Sequence, residues 1–107
     1  MTEQLRKLAE AMGKRYEIRS DLMGGQELFV AKDVQFPSPS DWERFKPLAN
    51  NDQLVEVIKF VLRNGYVIEH FGDKDEWYLQ RSLLNEVCNK SFEQAVMIAA
   101  FKAIDNL

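Results

Sequence analysis

Residues 52–71, DQLVEVIKFVLRNGYVIEHF, change their apolar period from three-and-four to two at a single glycine, and no other stretch restricts the fold so sharply. Leu54, Val57, Ile58, Val61 and Leu62 fall on one stripe when the chain is wound at about 3.6 residues per turn, which predicts an amphipathic helix. Asn50, Asn51 and Asp52 precede it, and a short side-chain oxygen there can accept from the unpaired amides of the first turn. Asn64 and Gly65 close it, because glycine enters the left-handed conformation of a helix end without a Cβ clash. Beyond Gly65 the period is two. Tyr66, Ile68 and His70 point to one side of an extended chain, Val67, Glu69 and Phe71 to the other. Both sets contain apolar residues, which predicts a strand covered on both faces.

Elements on either side follow from the same rules. Thr2 is a plausible N-cap for a helix carrying Leu5, Leu8, Ala9 and Met12 on one side, with Gly13 as its stop. Its wet side offers Glu3–Lys7 and Arg6–Glu10 at spacing four, pairs that serve solvation rather than recognition. Residues 15–22 and 27–32 read as the strands of a hairpin turning at Gly24-Gly25. Pro37 and Pro39 forbid further ladder pairing and make residues 37–40 a connector. Ser40-Asp41-Trp42-Glu43 has the spacing of a capping box, predicting one helical turn through Trp42 and Phe45 that ends at Pro47.

After the central strand, Gly72-Asp73-Lys74-Asp75 is turn chemistry and residues 76–80 form the returning strand, with a possible continuation to Leu84. Residues 82–90 fit neither period. Ser91-Phe92-Glu93-Gln94 is a capping box opening a last helix over residues 91–105, apolar on almost every side. The order of elements predicts an α+β fold, with an antiparallel sheet built from two hairpins and helices packed on it.

The chain has 107 residues, the size of a single domain, and 46% of them are apolar, enough to bury a core without metals or disulfides. Its formal net charge of −3 is spread without any run of like charge, so the basic stripe of a nucleic-acid binder is missing and the carboxylates are too sparse for a DNA mimic. The one cysteine, Cys88, excludes an internal disulfide and fits a reducing compartment. The N-terminal segment MTEQLRKLAEAMGK lacks the continuous apolar core of a secretory signal, and the longest apolar run, Ala95 to Phe101, is far short of a membrane span. A cytoplasmic protein that does not enter membranes is expected.

Three segments together resemble a known family. Phe45-Lys46-Pro47-Leu48-Ala49-Asn50 runs into an amphipathic helix. Gly65-Tyr66-Val67-Ile68-Glu69 opens a strand, and Ser91-Phe92-Glu93-Gln94-Ala95-Val96-Met97-Ile98-Ala99-Ala100-Phe101-Lys102-Ala103 closes the chain. This arrangement resembles the small phage and prophage proteins of the phage ABA sandwich type. The resemblance covers residues 1–105 and implies alpha-beta-alpha layering and a phage-type, bacterial setting. It carries over no catalytic residue. The chain departs from the pattern in Pro37, Pro39 and the added Trp42 turn, and in its Leu83-Leu84-Asn85 tail.

Candidate sites are few. His70 is the only histidine, so catalysis or small-ligand binding would have to join it to Glu69 or Asp73; a partly buried strand histidine is the stronger reading. Asp73, Asp75 and Glu76 are too few for a calcium loop, Gly24-Gly25 lacks the rest of a phosphate loop, and Cys88 has no partner for a zinc framework. No metal and no cofactor is implied. Trp42, Phe45 and Trp77 are candidates for a partner-binding surface, because large aromatics give contact area at low entropic cost. The surplus of apolar surface on the 91–105 helix suggests self-association there. The leading expectation is therefore a protein that acts by protein–protein binding, without catalysis. The alternative is a small-ligand binder or enzyme using His70, and a third reading is a basic patch of Arg6, Lys7, Lys14 and Arg15 on nucleic acid.

Overall fold

The computed structural model describes residues 2–20, 22–32, 34–81 and 87–105. They form an α+β protein with two three-stranded antiparallel sheets and three helices, of which the first and last pack on strands and the second packs on the last. The chain divides into two compact units, residues 1–46 and 47–107.

In the first unit, helix α1 (Thr2–Ala11) packs on the hairpin of β1 (Tyr16–Ser20) and β2 (Gln26–Ala31). The helix ends where expected. Gly13 takes φ +76°, its amide donates to Glu10 at 3.0 Å, and Lys14 donates to Ala9 at 2.9 Å, the paired bonds of a glycine-terminated helix. Leu8 and Ala9 meet the face of β2 that carries the buried Leu28 and Val30.

The connector holds the first correction. The capping box lies two residues earlier than expected. Asp41, not Glu43, supplies the carboxylate, accepting from the Ser38 amide at 2.9 Å and the Ser38 hydroxyl at 3.0 Å. The resulting 3₁₀ turn is Pro39–Asp41, and those bonds hold the Asp41 carboxyl below its ordinary value. Trp42 is therefore released into a third strand, β3 (Trp42–Arg44), where it pairs with Ala31, while Arg44 pairs with Phe29. The helical turn expected through Trp42 and Phe45 is not formed.

In the second unit, helix α2 (Asn51–Arg63) starts at Asn50, whose Oδ1 accepts from the Gln53 amide at 3.2 Å. It stops at Gly65, φ +90°, with Gly65 donating to Leu62 and Tyr66 to Val61. Its buried stripe is Gln53, Leu54, Val57, Phe60 and Val61, rotated from the predicted one so that Leu62 is exposed. Strands β4 (Val67–Phe71), β5 (Glu76–Gln80) and β6 (Val87–Asn89) follow, in the order β4-β5-β6. β6 lies within the stretch that fitted neither period, and the possible continuation through Leu84 lies outside the described residues.

Helix α3 (Phe92–Asp105) packs on β5, β6 and α2. Ala95, Val96, Met97, Ala99, Ala100 and Ala103 are buried. Packing thus takes up these six apolar residues of the helix, while Ile98 stays 38% exposed. Strand β4 departs from expectation as well. It is an edge strand with only Ile68 half-buried, since α3 contacts β5 and β6 and Val67, Glu69 and Phe71 face away from the Leu79 side.

Candidate functional site

The second sheet has two chemically different faces. One carries Ile68, His70, Trp77, Leu79 and Val87, with Leu79 and Val87 buried and the Trp77 ring 4.6 Å from that of Phe92 on α3. The other carries Val67, Glu69, Phe71, Glu76, Tyr78, Gln80 and Cys88. That second face is open, with Val67 58% and Phe71 43% exposed.

Two adjoining hollows run along this open face. One, of about 260 Å³, is lined by Val67, Glu69, Tyr78, Gln80 and Arg81. The other, of about 200 Å³, is lined by Glu69, Phe71, Lys74, Tyr78 and Gln80. Phe71 meets Tyr78 edge-on at 4.8 Å, which fixes the ring between the strands. Beyond Tyr78, the Glu76 carboxylate accepts from the Tyr78 hydroxyl at 2.9 Å and the Cys88 thiol at 3.3 Å. The Tyr78 and Cys88 bonds hold the Glu76 carboxyl below its ordinary value, and contacts with Cys88 and Glu76 push the Tyr78 phenol up. The resulting hydrogen-bonded trio lies on the same face as the hollows and shares Tyr78 with their lining.

The residues selected from sequence are distributed differently from the groupings expected of them. Trp42 is half-buried on β3, and Phe45, at 1% exposure, is among the most completely buried large side chains. Phe45 therefore belongs to the packed interior and is unavailable to a partner. Trp77 is half-buried between Phe92 and His70, whose ring lies 4.5 Å away. His70 has Asp75 beside it, Nε2 to Oδ1 at 3.4 Å, with Asp75 at a left-handed φ of +50° in the turn. Glu69 alternates to the opposite face, and Asp73 is exposed in the turn. Strand alternation thus separates His70 from Glu69, the carboxylate adjacent in sequence.

Two residues of the basic patch, Arg6 and Arg15, are likewise engaged. Arg6 bridges Glu3 and Glu10 and donates to the Tyr16 hydroxyl at 3.4 Å, and Arg15 donates to the Gln35 carbonyl at 3.1 Å. Among the described residues no group of three or more His, Cys, Asp or Glu side chains is placed to hold a metal ion, and no helix is long and apolar enough to cross a membrane.

Sequence reasoning missed the open face because Val67 and Phe71 look like core residues in a strand with apolar side chains on both sides. Comparison with protein-family models, with curated proteins and with solved structures finds no match to this chain.

Proposed function

We propose that the protein acts by binding another protein through the open face of β4 and β5, as a small phage- or prophage-type protein would act on a host factor, without chemistry of its own. The observation that carries this reading is the pairing of exposed Val67 and Phe71 with Tyr78 along two open hollows edged by Glu69 and Gln80. Aromatic and aliphatic anchors with a polar rim are the composition of a protein interface. The shallow hollows suit side chains of a partner better than an enclosed small molecule. Trp77 lies on the opposite face of this sheet, against Phe92.

The test is capture of partners from bacterial lysate by the tagged full chain, compared with a Val67→Glu/Phe71→Glu variant whose circular dichroism matches the original. A near-stoichiometric partner retained by the original and lost by the variant is expected. Equal capture by both would move the interface elsewhere. A phenotype abolished by His70→Ala but insensitive to the double variant would instead support the small-ligand or enzymatic alternative.

A further inference from the structure

Strand β1 is the outer strand of the first sheet, hydrogen-bonded to β2 on one side and, among the described residues, to no strand on the other. All five of its residues are exposed. The direction of its backbone groups follows from one bond. The Ala31 amide donates to the Arg15 carbonyl at 3.0 Å, so residues 15 and 31 form a hydrogen-bonded pair of the antiparallel ladder. Such pairs alternate, which makes Glu17–Phe29 and Arg19–Glu27 the next two. Tyr16, Ile18 and Ser20 therefore turn their amides and carbonyls to the open edge.

An open row of this kind is a template for another strand, and charged side chains normally guard it. Here the guards are Glu17 and Arg19, placed symmetrically about Ile18 and themselves 3.3 Å apart. We propose that β1 pairs antiparallel with β1 of a second copy of this chain, about a two-fold axis through Ile18, so that two sheets join into one.

The charges select the register. Outward-facing residues must meet outward-facing residues, which leaves three centres with more than one such pair. An axis at Glu17 sets Glu17 against its own copy, and an axis at Arg19 sets Arg19 against its own copy. Like charges directly opposite destabilise a strand pair. With the axis at Ile18, all three outward residues are used and each Glu17 lies across from an Arg19. Those two positions are non-hydrogen-bonded pairs, where facing side chains are closest. The Arg19 guanidinium is held on its face of the sheet by the Phe29 ring, 4.2 Å away. The other long edge, β4, lacks this symmetry, because its charge, Glu69, stands at the midpoint and would meet itself. The inference is independent of the partner-binding reading, which concerns β4 and β5.

Sedimentation equilibrium of the full chain under reducing conditions, from micromolar to millimolar concentration, tests it. A concentration-dependent monomer–dimer equilibrium is expected. Glu17→Arg and Arg19→Glu each weaken it by about tenfold or more, while an equimolar mixture of the two, or the double exchange in one chain, restores association to the original strength. Ile18→Pro abolishes it and leaves the far-ultraviolet spectrum unchanged, since the amide it removes points away from β2. A strict monomer at millimolar concentration overturns the proposal. So does a dimer indifferent to the single charge changes, or a mixture that fails to recover.

Discussion

Tyr66 shows how a single atom can stand against the pattern around it. The residue is 3% exposed, its ring lies beneath the Arg81 guanidinium at 5.7 Å, and its buried hydroxyl has no hydrogen-bond partner among the described residues. A buried hydroxyl left unpaired costs more than it returns. Tyr66→Phe should therefore raise the stability by about 1 kcal/mol, read as a higher denaturant midpoint with an unchanged slope. Glu76 behaves in the opposite sense. Its carboxyl is depressed below its ordinary value in the folded chain by Tyr78 and Cys88, so its stabilising contribution is full above the unfolded value and is lost as pH falls through the folded one. Unfolding midpoints followed from neutral to acid pH should fall less steeply for Glu76→Gln than for the original protein. Neither effect could be read from the sequence. Tyr66 looks like one more strand aromatic, and the Glu76 trio joins residues from two strands, one of them β6.

At the scale of elements, what was legible depended on length. The three helices and both hairpins could be read because each repeats its period several times, and the two glycine stops fell at Gly13 and Gly65 as expected. β3 and β6 have three residues each, too few to establish any alternation. The region of β3 was further obscured because Ser38-Pro-Ser-Asp41 and Ser40-Asp-Trp-Glu43 both have capping-box spacing. Only the bonds formed by Asp41 decide between them. The glycine stop of α2 gives a direct prediction. At φ +90° Gly65 sits where an L side chain is disfavoured, although a Cβ there would make only ordinary contact with Arg81 at 3.6 Å. Gly65→Ala should lower stability by about 1 to 2 kcal/mol, whereas Gly72→Ala, with no positive φ and open space around it, should leave the same unfolding midpoint nearly unchanged.

For the whole molecule, the α+β class follows from the order of helices and hairpins, and the expected single sheet becomes two because each hairpin acquires its own third strand. The candidate surface was less legible than the fold. Sequence ranks Phe45 and Trp77 by residue type, and packing then draws the first into the interior and wedges the second against Phe92, leaving Val67 and Phe71 in the open. Among the described residues the pairings of β1, β2 and β3 are complete by Arg44, and no strand of one sheet pairs with a strand of the other. During synthesis the first sheet can therefore close its ladder while the residues of the second are still being joined, so the nascent chain need not hold its early hydrophobic strands open to wait for late ones.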